Sequence, residues 1–141
     1  MTRISATVRP SELCDQMLIA EHREIVRIPN CIKSGKAKVN IEKIPADFRL
    51  GSGHVIFFYN KLGYLSNRYN ELRLECLNRG FNVQDYSAAF NDVPTELLNN
   101  WEPDYNFVRP ILKERINTRL STMKVIRYKG SVITLKQAEI C

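Results

Sequence analysis

The chain has 141 residues, 44% of them hydrophobic, and a formal net charge of +6 because 21 Lys and Arg outnumber 15 Asp and Glu. This length and apolar content are typical of one globular unit, so we expect residues 1–141 to form a single domain with its own core. No run of about 18 apolar residues occurs, and the N-terminus lacks a signal-peptide pattern, so the sequence predicts neither a membrane span nor secretion.

The excess of positive charge favours a polyanionic partner, with nucleic acid ahead of an anionic membrane, although many small basic proteins bind neither. The cysteines show no CxxC spacing and have no neighbouring histidine; they are Cys14, Cys31, Cys76 and Cys141. This pattern indicates reduced thiols in a cytoplasmic protein rather than a disulfide framework or a metal site.

The first residues could supply a nucleophile. Thr2 is small, and a small second residue normally allows the initiator Met1 to be removed, which would leave Thr2 with a free α-amine. An α-amine has a pKa of about 7.7–8.0, so a useful fraction is neutral at pH 7 and can attack a sugar carbon to form an imine. The alternative is an ordinary N-terminus without chemistry, and these residues alone favour that alternative.

The first predicted helix follows Pro10 and has Ser11 as its N-cap. It runs to about Arg27 and ends at Pro29 at the latest. Its core-facing stripe has helical spacing and comprises Leu13, Met17 and Ala20. On a wheel with about 100° per residue, His22 points away from this stripe, and we expect it at the surface.

Glu24 falls in the middle of the same stripe, within about 20° of Leu13 on the wheel. An unpaired buried carboxylate is costly, so Glu24 needs a partner or a function. Its neighbours on the edge of the stripe are Gln16, Arg23 and Arg27. Two interpretations remain open: a structural ion pair between Glu24 and one of these arginines, or a functional carboxylate beside a phosphate-binding strip.

A loop rich in Lys and Gly is predicted from about residue 33 to residue 53. The second helix spans roughly Lys61 to Arg79, and Gly80 ends it because glycine tolerates the left-handed conformation found at helix C-termini. The apolar stripe of this helix comprises Leu62, Leu65, Tyr69, Leu72 and Cys76. We expect an irregular loop between this helix and the next.

The third helix is predicted to start near Val108, because Pro110 is tolerated in a first turn. Arg115 and Arg119 are four residues apart and share an outer strip of this helix. Its inward-facing residues are Leu112, Ile116 and Leu120.

In the tail, two short segments with an alternating pattern of residues flank a predicted turn at Lys129 and Gly130, as in a β-hairpin. Because a lone two-stranded hairpin is marginally stable, this tail must pack on the rest of the protein. The predicted fold is therefore mainly α: a single compact domain of three helices with long irregular loops, followed by a short C-terminal hairpin or a packed extended tail.

Three blocks of sequence resemble the pyrimidine-dimer DNA glycosylase family, the family of the T-even phage endonuclease V. The first block runs from Met1-Thr2-Arg3-Ile4 through Ser11-Glu-Leu-x-Asp-Gln-x-Leu-x-Ala-Glu-x-Arg-Glu24 to Arg27. The second is Leu50-Gly-Ser-Gly-His54-Val-Ile-Phe-Phe-Tyr59-Asn-Lys-Leu. The third is Glu71-Leu-Arg-Leu-Glu-Cys-Leu-Asn-Arg-Gly-Phe-Asn82. They keep the family's order and register, apart from a small insertion near residues 9–10 and a variable loop after Cys31, so the resemblance is specific.

The resemblance implies a compact three-helix domain whose N-terminal arm threads between helices. It also implies a glycosylase with abasic-site lyase activity and no metal or cofactor. We expect a monomer that binds no membrane and acts on double-stranded DNA containing pyrimidine dimers or abasic sites. The family opens the duplex and holds the base opposite the lesion in a protein pocket.

The resemblance also implies roles for individual residues. The Thr2 amine would attack C1′ of the damaged nucleotide, and Glu24 would stabilise the cationic sugar and assist proton transfer. The DNA contacts expected from the first block are Arg3, Gln16, Arg23 and Arg27. Arg115 and Arg119 keep the family's basic spacing on the third helix and are expected to contact phosphates, with a solvated helix face as the alternative.

The tail departs from the family pattern, in which an aromatic cluster contributes to lesion binding. Only Tyr128 and Gly130 persist in the corresponding stretch, and the family's histidine on the first helix is Met17 here. Base stacking on an aromatic side chain contributes about 1–3 kcal/mol, so this difference bears on the choice of lesion more than on the lyase chemistry. Trp101 could compensate or serve only in packing. Two alternatives to dimer repair therefore stay open: a non-catalytic DNA-binding module on the same fold, and the same chemistry on another lesion.

Overall fold

The computed structural model of the protein describes residues 2–141. The expected removal of Met1 concerns a residue outside that range. The described chain begins with an irregular arm, residues 2–9, which leads into a short 3₁₀ turn at Pro10–Glu12. Helices make up most of the rest, and the described residues contain one two-stranded sheet near the C-terminus. The prediction of a mainly α fold is therefore confirmed.

The first predicted helix is divided in two. Helix α1 spans Asp15–Glu24 with Cys14 as its N-cap, so the predicted N-cap at Ser11 is wrong. Helix α2 spans Arg27–Lys33 and has Pro29 in its first turn, where we expected Pro29 to end the preceding helix. The first amides of a helix have no partner within it, so a proline there sacrifices no hydrogen bond. Pro29 accordingly marks where a helix begins.

The predicted loop between residues 33 and 53 is present and contains two 3₁₀ turns, at Ile41–Lys43 and Gly51–Gly53. A short helix follows it, α3 at His54–Phe57. The chain from residue 41 to residue 57 therefore contains two turns and a short helix that the sequence did not predict.

The long helix α4 spans Leu62–Asn78, and its bounds agree with the prediction to within one residue at each end. Gly80 follows it with a φ of 83°, the left-handed conformation expected at a helix C-terminus. All five residues of the predicted apolar stripe are fully buried. The next segment is irregular apart from 3₁₀ turns at Ser87–Phe90 and Thr95–Leu97.

Helix α5 spans Tyr105–Ser121 with Asp104 as its N-cap, so it begins about one turn before the predicted start. Pro110 therefore lies in the helix interior and not in the first turn. Pro110 lacks the N–H that would bond the carbonyl of Asn106, but both residues are exposed and water can serve that carbonyl. The predicted inward residues of α5 are confirmed as buried; they are Leu112, Ile116 and Leu120.

The tail forms the predicted hairpin. Strands β1 (Ile126–Tyr128) and β2 (Ser131–Ile133) pair antiparallel, and Lys129 and Gly130 make the turn with φ of 51° and 82°. Positive φ at both turn residues matches the right-handed twist of the strands. A last short helix, α6, spans Leu135–Ala138.

The core-facing side of α1 differs from the prediction. Leu18, His22 and Ile25 are buried, whereas Met17 and Ala20, which we expected in the core, are only half-buried. The His22 ring lies between Tyr69 and Tyr86, with ring centroids 5.1 and 5.4 Å away, so its expected place at the surface is wrong. Helix α1 has buried residues on one side and half-buried residues on another, and a helical wheel cannot show which of these sides meets the core. No helix within residues 2–141 is long and apolar enough to cross a membrane.

Candidate active site

A cleft of about 240 Å³ lies between the N-terminal arm, α1 and α5. Its apolar lining residues are Met17, Ala20, Ile116 and Met123. Its charged lining residues are Arg3, Glu21, Glu24, Arg115 and Arg119. Two residues of the stripe that we predicted to face the core, Met17 and Ala20, therefore line this cleft, whereas the third, Leu13, is buried in the core as expected. Apolar groups and several cations in one cleft suit a ligand that combines an apolar part with an anionic group.

Glu24 lies in the wall of the cleft with 14% of its side chain exposed. The nearest cation is Arg23, whose Nη2 atom is 3.8 Å from Oε2 of Glu24 and whose side chain is 59% exposed. Exposed pairs at such a distance contribute little to stability. Within residues 2–141 the Glu24 oxygens accept no hydrogen bond, so the carboxylate remains available to a ligand.

Besides Asp15 at its start, α1 has a second buried carboxylate in Glu21, one turn before Ile25. Its oxygens receive two bonds from Arg68, from Nε at 2.8 Å and from Nη2 at 3.2 Å. The pair that we considered for Glu24 is present as the long contact with Arg23, whereas Glu21 makes a short, buried ion pair with Arg68. A signal in the sequence could have revealed it: Arg68 lies three residues after Leu65 and four before Leu72, inside the apolar stripe of α4, where a cation requires a buried partner.

The same ion pair also forms hydrogen bonds with the N-terminal arm. The main-chain N–H of Ser5 donates to Oε1 of Glu21 at 3.3 Å, and Nη1 of Arg68 donates to the carbonyl of Val8 at 2.7 Å. The hydroxyl of Tyr64 donates to the carbonyl of Ala6 at 3.1 Å.

Two further side chains fix the arm from other elements. Arg109 of α5 donates to the carbonyl of Thr7 at 3.1 Å, and the N–H of Ile4 donates to Nε2 of His54 in α3 at 2.9 Å. The arm is thus bonded to α1, α3, α4 and α5, in keeping with the expected path between helices. Because five main-chain groups at residues 4–8 bond side chains from distant elements, the arm has one defined route through the protein.

Thr2 is half-buried and lines two cavities, neither of which is the cleft of Glu24. The larger cavity has about 630 Å³ and shares with that cleft the residues Arg3, Arg115, Arg119 and Thr122. The smaller one, of about 240 Å³, places Thr2 with Arg27 and Lys36. Thr2 and Glu24 therefore lie in adjoining spaces that three arginines border in common.

Arg115 and Arg119 both reach the cleft from α5, as their spacing on one strip requires. Arg119 is exposed. Arg115 is half-buried and donates from Nη2 to the hydroxyl of Ser5 at 3.2 Å. Burial lowers the pKa of Arg115 to about 10, with the Glu21 carboxylate opposing that shift, so the guanidinium keeps its charge at neutral pH.

Gln16 lines the cleft, but its amide is already bonded to the tail. Nε2 of Gln16 donates to the carbonyl of Val125 at 2.8 Å, and the N–H of Arg127 donates to its Oε1 at 3.1 Å. Asp15 holds the turn of the same hairpin, accepting from the N–H groups of Lys129 at 2.9 Å and Gly130 at 2.7 Å. The hairpin is thereby fastened to the start of α1.

The aromatic residues singled out in the sequence are packed. Tyr128 lies under the guanidinium of Arg79, 4.1 Å from its ring centroid, and its hydroxyl donates to the carbonyl of Ser11 at 2.7 Å. Trp101 belongs to an aromatic cluster, and its neighbours there are Phe48, Phe57, Phe58 and Tyr64. Neither ring lines the cleft.

Comparison with known protein families agrees with the first three blocks of sequence. The sequence model of the family described as pyrimidine dimer DNA glycosylase matches residues 1–87, which is more than half of the 141-residue chain. The matched part contains the arm, α1 and α4, and with them Thr2, Glu24 and the Glu21–Arg68 pair. It stops before α5 and the hairpin, so Arg115, Arg119 and the tail lie beyond it.

Proposed function

The chain belongs to the pyrimidine dimer DNA glycosylase family, a family of DNA repair enzymes, and from this premise we propose that it excises ultraviolet-induced cyclobutane pyrimidine dimers from double-stranded DNA and then nicks the resulting abasic site. A single observation carries the proposal: Thr2 and Glu24 lie in adjoining spaces bordered by Arg3, Arg115 and Arg119. A nucleophile, a carboxylate and a set of phosphate-binding cations are thus gathered on one side of the protein.

In the proposed reaction the α-amine of Thr2, freed by removal of Met1, attacks C1′ of the damaged nucleotide. The bond from the amine nitrogen to C1′ forms and the N-glycosidic bond breaks; the base takes up a proton and, in a dimer, stays joined to its neighbour through the cyclobutane ring. Opening of the sugar ring gives a protonated imine, which acidifies the proton on C2′. Loss of that proton expels the 3′ phosphate by β-elimination, and water then hydrolyses the imine and restores the amine.

Glu24 acts at the sugar. Positive charge develops on the sugar ring as the base leaves, and a fixed carboxylate at that point lowers the energy of the transition state. The absence of hydrogen bonds to the Glu24 oxygens within residues 2–141 favours this role, because a carboxylate committed to Arg23 would be less able to serve it. Glu24 would also take and return protons during imine formation.

The arginines bind the phosphates on both sides of the lesion. Arg3, Arg115 and Arg119 border both the cleft and the larger cavity, Arg27 lines the smaller cavity of Thr2, and Arg23 is exposed beside Glu24. Gln16, which we expected among the DNA contacts, instead holds the tail through both ends of its amide. Contacts to phosphate position the protein without reading sequence, so one set of contacts serves lesions in any sequence context. With the duplex held in this way, the base opposite the lesion is turned out of the stack into the protein.

Reductive trapping tests the imine. Sodium borohydride should convert the intermediate on abasic-site or ultraviolet-damaged duplex into a stable covalent adduct, and peptide mapping should locate the link at the amine of Thr2. A protein whose N-terminus is acetylated, with its lysines free, should trap none. Full-rate trapping by the acetylated protein would rule out Thr2.

Mass spectrometry of the purified protein is the matching check on the N-terminus. Loss of Met1 fits the proposal, whereas a retained Met1 blocks the amine and favours the non-catalytic DNA-binding module, which needs the arginines but neither a free amine nor Glu24.

The tail favours a second candidate, the same chemistry on another lesion. Tyr128, the aromatic residue that persists from the family's cluster, is engaged by Arg79 and Ser11 and does not line the cleft. Cleavage of duplexes that each carry a dimer, an alkylated base or an abasic site separates the candidates. Fastest excision of the dimer supports dimer repair, and fastest excision of the alkylated base supports the second candidate.

A further inference from the structure

A buried histidine outside the cleft of Glu24 holds the N-terminal arm close to its first residue. The main-chain N–H of Ile4 donates to Nε2 of His54 at 2.9 Å, and both residues are buried. Ile4 is two residues from Thr2, and His54 lines the same 630 Å³ cavity as Thr2 and Arg3. This bond therefore fixes the chain next to the proposed nucleophile.

The two bonds of the His54 ring define its protonation state. A main-chain N–H can only donate, so Nε2 must accept the bond from Ile4. Nδ1 lies 2.9 Å from the carbonyl oxygen of Arg49, which can only accept, so Nδ1 carries the proton. A neutral imidazole protonated at Nδ1 satisfies both partners, whereas a doubly protonated ring would direct an N–H at the N–H of Ile4.

The surroundings of His54 favour this neutral ring. Phe48 and Phe58 pack edge-on against it, with centroids 5.4 Å away in each case. Burial is the largest influence and lowers the pKa of His54 to about 4, with a smaller effect in the same direction from Arg115 of α5. The bond to Arg49 and the carboxylate of Glu21 on α1 oppose the shift. The other charged groups that border the cavity are Arg3 on the arm and Glu114 and Arg119 on α5.

We propose that His54 is a positioning residue for the reaction: through the N–H of Ile4 it holds the arm so that the Thr2 amine faces the space adjoining Glu24. The inference rests on the proposed function, because it takes the Thr2 amine as the nucleophile. Misplacement of a reacting group by about 1 Å can lower a rate by about 10²-fold, so a single hydrogen bond near the amine can control catalysis. The phosphate contacts belong to the arginines, and His54 should therefore affect the rate and not the affinity.

Two variants of His54 separate its bonds. In His54→Asn the short amide can still donate to the carbonyl of Arg49 but cannot reach Ile4, whereas in His54→Gln the longer amide can accept from Ile4. His22→Gln is the matched control, because it also removes a buried imidazole but one that packs between Tyr69 and Tyr86, away from the arm. Thermal unfolding of each variant would establish that it is folded at the assay temperature.

Two measurements on these proteins test the proposal. Hydrogen exchange at the Ile4 amide reports the bond between Ile4 and His54 independently of activity. The exchange should accelerate at least about tenfold in His54→Asn, as expected when a buried hydrogen bond is lost. It should remain slow in His54→Gln and His22→Gln. Single-turnover borohydride trapping at saturating abasic-site duplex should slow by about 10–100-fold in His54→Asn. The dissociation constant for the same duplex should stay within about twofold of the wild-type value, and His54→Gln should recover most of the trapping rate.

Three results would overturn the positioning role: unchanged exchange at Ile4 in folded His54→Asn, fast exchange with an undiminished trapping rate, or a loss of affinity that accounts for the loss of rate. A wild-type protein that traps no adduct would instead contradict the imine chemistry. In that case the exchange rates alone would decide whether His54 clamps the arm.

Discussion

The guanidinium of Arg68 meets the carboxylate of Glu21 through two bonds, with Nε 2.8 Å from Oε2, and the two side chains are only 3% and 4% exposed. This pair joins α4 to α1 and also binds the arm at Ser5 and Val8. A buried pair of this kind loses hydration on both sides, so its main effect is to define one arrangement of the elements that it joins. Here those elements are the arm that presents Thr2 and the helix that presents Glu24.

Removal of the charge from Glu21 should be strongly destabilising. Glu21→Gln leaves the Arg68 guanidinium buried and unpaired, and we expect the free energy of unfolding in urea to fall by about 3–5 kcal/mol. Glu12→Gln is the control, because it weakens the more exposed pair with Arg109. An equal loss in both variants would contradict a special role for the buried pair.

Glu24→Gln should sharply slow base excision and leave the fold intact. Within residues 2–141 the carboxylate accepts no hydrogen bond and meets only the exposed Arg23 at 3.8 Å, so we expect a change in unfolding free energy within about 0.5 kcal/mol. The single-turnover rate of base excision should fall by about 10²–10³-fold, the range seen when one electrostatic contact to a transition state is removed. Undiminished excision would reduce Glu24 to a partner of Arg23. Glu71→Gln, at an exposed position of α4, controls for the change in net charge.

Arg119 should contribute one phosphate contact. Each neutralised phosphate adds about 0.9 to the slope of the logarithm of the association constant against the logarithm of the salt concentration. Arg119→Gln should therefore lower the magnitude of that slope by about 1 in a titration of undamaged duplex. Arg9→Gln removes an exposed arginine that lines none of the described cavities, and it should leave the slope unchanged. Equal slopes for Arg119→Gln and the wild type would place Arg119 outside the DNA contact.

The lowered pKa of His54 predicts how the stability of the folded protein depends on pH. Its pKa is lowered to about 4 in the folded protein, so between pH 6.5 and pH 4 the unfolded chain binds the proton more readily and stability falls as the pH falls. The shift corresponds to a loss of up to about 3 kcal/mol across that range. Urea unfolding at several pH values should show a shallower dependence in His54→Gln, which has no proton to bind there.

The measurement needs a background free of His22, whose pKa burial also lowers, so both proteins should carry His22→Gln. If the free energy of unfolding depended on pH in the same way in both proteins, the pKa of His54 would be the same in the folded and unfolded chains.

The sequence predicted best those features that depend on neighbouring residues. The bounds of α4 followed from an unbroken apolar stripe and the stop at Gly80, and the hairpin followed from alternation around Lys129 and Gly130. The positions of both prolines were predicted wrongly for one reason. Proline is preferred in the first turn of a helix, but its presence does not fix where in a helix it lies. Pro29 lies in the first turn of α2 where an end was expected, and Pro110 lies inside α5 where a first turn was expected.

The placement of the site depended on contacts that no local pattern contains. The bond between Ile4 and His54 spans 50 positions, and the pair of Glu21 with Arg68 spans 47. The wheel placed Met17, Ala20 and Glu24 on one face but took all of that face for the core, because an apolar cleft wall and a core stripe have the same residue types. The family resemblance added what the pattern lacked, namely the expectation that this side binds DNA.

The anchors of the hairpin touch its main chain. Asp15 accepts from the N–H groups of Lys129 and Gly130, and Gln16 bonds the carbonyl of Val125 and the N–H of Arg127. Main-chain groups are present whatever side chains the hairpin carries, so substitutions of its exposed residues leave these bonds in place, while Tyr128 adds a side-chain anchor through Arg79 and Ser11. The exposed surface of the tail can therefore change in evolution without any change in the helix that holds it.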